Sequence, residues 1–279
     1  MREALTLCIF SLVVLIFFGA FAATGFLHGA PDICLLTTPD TCYCEHIDTA
    51  RIGMPGIRQP WNTWSNLMGI FYGGLVAWGA YRVRTGDTAP FTNRLRAYDK
   101  WGYPLIAICV VTFLGLGSMW FHGSIVRWAG YFDLLSMFTF TIGIAFYALM
   151  RCLPPTVDDR WWKNVLFLAG YLGLVFLITS LTYGLKWESD GVIFPIIVFA
   201  AGVELANFFL KPEARADWRG WVILLIGAVS FGLAFTFWTL SQTGGPLCFP
   251  TGFQFHALWH WLAGVTSVAF FFYFVRCKN

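Results

Sequence analysis

Residues 253–275 read Phe253-Gln254-Phe255-His256-Ala257-Leu258-Trp259-His260-Trp261-Leu262-Ala263-Gly264-Val265-Thr266-Ser267-Val268-Ala269-Phe270-Phe271-Phe272-Tyr273-Phe274-Val275. No Asp, Glu, Lys or Arg interrupts the run. A helix needs about 20 apolar residues to cross the hydrocarbon core of a bilayer, so this stretch predicts a transmembrane helix. His256 and His260 stand out in it. They are four residues apart, so both imidazoles lie on one helical face, one turn from each other. Ionisable groups inside a span are costly, and each needs a reason.

Seven further stretches qualify as spans: 5–26, 61–81, 101–121, 128–150, 161–183, 192–210 and 218–240. Eight spans of about 20 residues take roughly 160 of the 279 residues. Short loops fill the rest, apart from one long segment after the first span, so there is no room for a soluble domain. Composition agrees. The chain is 58% hydrophobic, 19% aromatic and 12% charged, with 14 Trp and 29 Phe. A soluble domain averages about 25% charged residues. These figures exclude a disordered chain, a coiled coil, a nucleic-acid binder and an ordinary cytosolic enzyme. The fold class is an all-α integral membrane bundle.

Basic residues set the orientation. Arg82, Arg84, Arg94, Arg96 and Lys100 follow the second span, Arg151, Arg160 and Lys163 the fourth, and Lys211, Arg215 and Arg219 the sixth, while Arg276 and Lys278 close the chain. The alternate connections carry only Arg51 and Arg58, then Arg127, then Lys186, then none. The positive-inside bias places the rich loops and both termini in the cytoplasm. Segment 27–60 and the turns 122–127, 184–191 and 241–252 then face outside. The first span has a second reading as a secretory signal, since Ala20-Phe21-Ala22 resembles a cleavage site. Its apolar run is long for a signal, which favours an uncleaved helix.

The same topology places three histidines at one depth. The third span runs outward and ends near His122; the eighth runs inward and begins near His256 and His260. Three imidazoles with an open fourth position make a catalytic zinc site, and such an ion brings bound water to a pKa of about 7. Asp133, near the outer start of the fourth span, is placed to act as general base and then acid. Ser118 lies four residues before His122, on the same helical face, and is placed to steady an oxyanion or a water. A haem reading fails, because two axial ligands must face each other across the ring and i,i+4 partners on one helix cannot. His28 and His46 lie in the outer segment without helical partners, and Glu204 in the sixth span has no evident partner. Of eight cysteines, Cys34, Cys42, Cys44 and Cys248 fall outside, where disulfides form, and four cysteines allow three pairings.

These residues, in this order, resemble the alkaline ceramidase family, part of a superfamily of seven-span membrane hydrolases that includes the adiponectin receptors. The matching pieces are Trp61-Asn62-Thr63-Trp64-Ser65-Asn66, Gly117-Ser118 with Phe121-His122, Asp133, Phe237-Trp238 followed by Cys248, and Phe255-His256-Ala257-Leu258-Trp259-His260. The resemblance runs over about residues 42–276. It implies a seven-helix core within 28–279, preceded by an extra N-terminal span within 1–27. It also implies a zinc amidase that cleaves the N-acyl bond of ceramide or a similar membrane lipid, with zinc on His122, His256 and His260 and with Ser118 and Asp133 completing the site. No protein partner is implied.

The resemblance further implies a calcium site before the first core helix. Cys44-Glu45 matches the family's Cys-Glu, which makes Glu45 the candidate Ca2+ ligand. Cys42 and Gln59 stand where the family has acidic residues. Asp40, Asp48 or backbone carbonyls would have to complete the six to eight oxygens that calcium takes. The resemblance pairs Cys44 with Cys248, which leaves Cys34 and Cys42 for each other. The reading in a different class is a non-hydrolytic receptor or stabiliser in which zinc only braces the bundle. The topology is directly testable: a tag after Asn279 is expected to be reached only from the cytoplasm, and a probe in the turn 243–246 only from outside. The reverse pattern would invert the placement of the histidines.

Overall fold

The computed structural model describes residues 2–25, 29–32, 34, 41–48, 52, 54–85, 102–152, 161–187, 189–210 and 216–276. In chain order these form α1 (Arg2–Ala23), a short hairpin of β1 (Thr41–Cys42) and β2 (Glu45–His46), α2 (Pro60–Ser65), α3 (Met68–Thr85), α4 (Gly102–Ser124), α5 (Arg127–Cys152), α6 (Trp161–Leu185), α7 (Ser189–Leu210), α8 (Trp218–Leu240) and α9 (Phe255–Arg276). Six of the helices, α4 to α9, are long and apolar enough to cross a membrane. The outer faces of α6, α7 and α8 expose Leu166, Phe176, Phe194, Val198, Leu225 and Val229. An apolar surface of that extent is a liability in water and the normal condition in lipid. The chain is a multi-pass helical membrane protein.

Burial concentrates on α4, α5 and α9. Helix α5 packs against α4, α6 and α7, while α9 packs against α8 and α3. The main core joins Leu135, Phe138 and Ile142 of α5 to Trp238 of α8 and to Trp259, Tyr273 and Phe274 of α9. Helix α1 lies at the rim against α3 and α4, with the Phe21 ring 4.8 Å from that of Trp120.

The second expected span, 61–81, is two helices rather than one. Helix α2 stops at Ser65 and α3 starts at Met68. Between them the backbone tightens to three-residue closures, Asn66 N to Thr63 O at 3.2 Å and Leu67 N to Trp64 O at 3.1 Å. Close packing explains the break. A Cβ on Gly115 of α4 would collide with the Asn66 carbonyl oxygen, and one on Gly69 would lie 2.8 Å from the Gly115 Cα. Two glycines therefore let the irregular backbone press against α4. Such backbone is tolerated at membrane depth only where protein buries it. The break turns Ser65 and Asn66 toward the start of α9.

At the end of the bundle where α4 meets α5, residues 29–32 strap the α4–α5 turn, with Asp32 N to Ile125 O at 3.0 Å and Arg127 N to Ala30 O at 2.8 Å. The 41–46 hairpin is fastened by a Cys44–Cys248 disulfide, with a Cα separation of 5.3 Å, normal for such a bridge. Cys34 is also disulfide-bonded; the side chain of its expected partner, Cys42, lies outside the described residues. At the opposite end, Asp217 caps α8 by accepting from Gly220 N at 2.9 Å. The Arg276 guanidinium pairs with it and holds its carboxyl below the usual range. Glu204 of α7 does have partners: the Tyr273 hydroxyl donates to it at 3.0 Å, and Asn207 reaches it at 3.5 Å.

Non-reducing peptide mapping of membrane-extracted protein is expected to recover a Cys44–Cys248 cross-link and to find Cys8 and Cys109, both free thiols, alkylated. Cys248→Ser is expected to lower stability by about 2–4 kcal/mol, read as a fall in Tm.

Candidate metal centre

Three buried imidazoles meet where α4 ends and α9 begins. His122, in the last turn of α4, is fully buried, as are His256 and His260 but for a trace of exposure. The ring centroids of His122 lie 5.2 Å from those of both His256 and His260, and the latter two are 4.8 Å apart. One nitrogen from each ring falls within 4.8 Å of the others. Among the described residues this is the one group of three or more His, Cys, Asp or Glu side chains so arranged.

Neighbouring side chains fix which nitrogens are free. His122 Nδ1 lies 2.6 Å from Gln59 Oε1, and an amide oxygen only accepts, so Nδ1 carries the proton. Nε2 then presents a lone pair, and it has no hydrogen-bond partner among the described residues. The His260 ring is fixed in the same way. The Ser65 hydroxyl donates to Asn62 O at 3.0 Å. Ser65 Oγ therefore accepts from His260 Nδ1, 2.6 Å away, and His260 Nε2 keeps its lone pair. His256 Nδ1 is buried without a hydrogen-bond partner among the described residues. Unpaired buried nitrogens are rare in folded proteins. A soft to borderline divalent cation satisfies such a set, and the residues fit one.

Gln59 does more than orient His122. Its backbone N–H donates to His122 O at 3.1 Å, and its Nε2 donates to Glu45 O at 3.0 Å. Glu45, the candidate calcium ligand, is engaged elsewhere. Its two carboxylate oxygens accept from Trp61 N at 2.9 Å and Asn62 N at 3.0 Å, closing the first turn of α2. Burial pushes its carboxyl upward, and these two amides oppose that. Asp48 is exposed, and Asp40 lies outside the described residues. Among the described residues, a single carboxylate that accepts from two backbone amides does not by itself make the six to eight oxygens that calcium takes.

Asp133, on α5, is buried and hydrogen-bonded to Ser118. Both border a small cavity together with Tyr43, Asn66, His256 and His260, with room for about one water. Ser118 Oγ also lies 3.4 Å from His260 Nε2. The structure thus brings together His122, His256, His260, Ser118 and Asp133, and leaves His46 exposed in the hairpin; His28 lies outside the described residues. The ring orienters Gln59 and Ser65 escaped sequence reading. The available signal was a cluster of small polar residues at the start of an apolar span, Gln59, Asn62, Thr63, Ser65 and Asn66.

A helical membrane bundle that buries a histidine trio able to hold a metal ion beside a carboxylate has the architecture of an intramembrane hydrolase. The family model described as Ceramidase matches residues 53–278, most of the chain, and the chain belongs to the ceramidase family. No curated protein matches it. Membership makes it a hydrolase of the ceramidase type, a class that acts on amide bonds.

Truncating an orienting side chain is expected to loosen the metal without removing a ligand. Gln59→Ala and Ser65→Ala should each weaken binding of a divalent ion about 10–100-fold, measured by chelator competition. Unchanged retention in both would detach these residues from the centre.

Proposed function

We propose that the chain is a zinc-dependent amidohydrolase that cleaves the N-acyl amide of ceramide, or of a similar N-acyl lipid, into a fatty acid and a sphingoid base or amine. The observation that carries this reading is the pair of rings locked by Gln59 and Ser65, with His122 Nε2 unpartnered among the described residues and His260 Nε2 keeping its lone pair, beside a cavity that Asp133 borders. His122, His256 and His260 would hold the zinc ion, which would supply a Lewis acid able to ionise water near neutral pH and to polarise the amide carbonyl.

The protein's own groups do the rest. Gln59 and Ser65 hold two ligand rings in one tautomer and one orientation. Asp133 takes a proton from the attacking water and delivers it to the amide nitrogen as the C–N bond breaks. Ser118 donates to Asp133 and keeps that carboxylate aimed into the cavity. The surrounding apolar helices exclude bulk water, which strengthens each of these interactions. A purely bracing zinc closes its fourth position with a protein ligand. Here a carboxylate and a hydroxyl border the cavity instead, which favours turnover over bracing. In this reading residues 28–279 carry the activity and 1–27 add a membrane helix. The charge bias places both termini in the cytoplasm and the centre toward the outer side.

Purified protein given a panel of N-acyl lipids is expected to release fatty acid, and a chelator should abolish the release. His122→Ala, His256→Ala and His260→Ala should each lose most bound zinc and all useful turnover. Asp133→Asn should keep zinc while its rate falls about 10²–10⁴-fold. Full zinc occupancy in a His256→Ala/His260→Ala double variant would refute the centre, and wild-type turnover in Asp133→Asn would remove that residue from the chemistry.

A further inference from the structure

The hairpin over the metal centre is built against its backbone preference. Its two turn residues, Tyr43 (φ 52°) and Cys44 (φ 69°), both adopt left-handed backbone. A two-residue hairpin turn asks for that conformation, and Asn and Gly normally supply it, because a Cβ there meets a steric cost that only glycine escapes. Such conformations persist where surrounding structure holds them, and they cluster at functional sites. Three attachments hold this one: the Cys44–Cys248 bridge, Cys44 N to Thr243 Oγ1 at 3.4 Å, and His46 N to Pro250 O at 3.1 Å. The hairpin is thus tied to the segment leading into α9.

The consequence is the position of a phenol. The Tyr43 ring stacks on His256, with centroids 4.6 Å apart and planes 29° from parallel. Its centroid also lies 5.6 Å from that of His122. Tyr43 borders the same cavity as Ser118, Asp133, His256 and His260. Two hydroxyl-bearing residues line that wall, Ser118 and Tyr43. Ser118 has a single proton, and it goes to Asp133. The Asn66 amide, also in the wall, donates to Asn62 O at 2.7 Å, and its Nδ2 lies 3.4 Å from His260 Nε2. Trp238 and Trp259 stack on each other with centroids 5.3 Å apart.

Amide hydrolysis builds negative charge on the carbonyl oxygen, and donors aimed at that atom before reaction account for much of the rate enhancement in such sites. We propose that Tyr43 is a catalytic residue whose phenolic O–H donates a hydrogen bond to the carbonyl oxygen of the scissile amide as charge develops there. The proposal rests on the amidase reading above. No bond to the phenol is made or broken: its proton stays on Tyr43, and the proton consumed at the leaving nitrogen is the one Asp133 carries. The hairpin thereby becomes part of the active site rather than a cover over it.

The test is Tyr43→Phe, which keeps the stacking ring and removes only the hydroxyl, assayed beside wild type for turnover, bound zinc and Tm. Loss of the donor is expected to cut kcat about 10²-fold, with KM within about twofold, zinc content unchanged and Tm unchanged. Wild-type kcat in Tyr43→Phe, with loss only in Tyr43→Ala, would overturn the proposal by leaving the ring a packing role. A fall in kcat accompanied by lost zinc would overturn it too, since Tyr43 would then act through the ligands. A raised KM with unchanged kcat would also overturn it, by making the contact a ground-state one. If wild type hydrolyses none of the N-acyl lipids, the amidase reading falls and this proposal with it. If wild type is active and Tyr43→Phe matches it, this proposal alone falls.

Discussion

A nitrogen lone pair buried in a lipid-embedded bundle has no water to turn to, and this chain gathers three such rings at one place. Much of the local structure answers that constraint. The helix break at 66–67 is what aims Ser65 at His260, and Gly69 and Gly115 are what permit the break. Gln59 sits immediately before α2 because its amide must reach His122 on one side and the Glu45 carbonyl on the other. Glu45 in turn fixes the start of α2. Hairpin, helix start and metal-facing ring form one hydrogen-bonded unit, so no member moves without the others.

Carboxylates are handled by the same logic. Four of those described have a dedicated donor: Ser118 for Asp133, Tyr183 for Asp32 at 3.0 Å, Tyr273 for Glu204 and two backbone amides for Glu45. A buried acceptor left without a donor costs far more than an ordinary hydrogen bond returns. The tyrosines on this list sit on other helices than the acids they serve. They therefore tie α7 to α9, and the 29–32 strap to α6, through polar contacts as well as packing.

The regular part of this architecture was legible in the chain. The seventh span, 218–240, matches α8 end to end, because apolar length alone decides a span. That His122 meets His256 and His260 followed from depth, since the direction of each span assigns its ends to one side. What lay out of reach depends on contacts distant in sequence. The break inside 61–81 comes from α4 pressing on it, and no local breaker marks it. Gln59 looked like the loss of an acid, while in space it is an acceptor for an imidazole N–H. Tyr43 stood between two cysteines in a loop, and only the bridge of one of them to position 248 carries it to the rings. The roles of these residues rest on the proposals above.

Translation runs from the N-terminus, so the order in which the parts exist matters. Cys44 is synthesised 204 residues before Cys248, and His122 well over a hundred before the pair on α9. The bridge cannot close before residue 248 has been made, and the histidine cluster cannot close before α9 has been made and docked. A nascent chain therefore carries Cys44 and the first histidine of the cluster without their later partners through most of its synthesis. The centre for which hydrolysis is proposed above is therefore assembled only after the last helix has been synthesised.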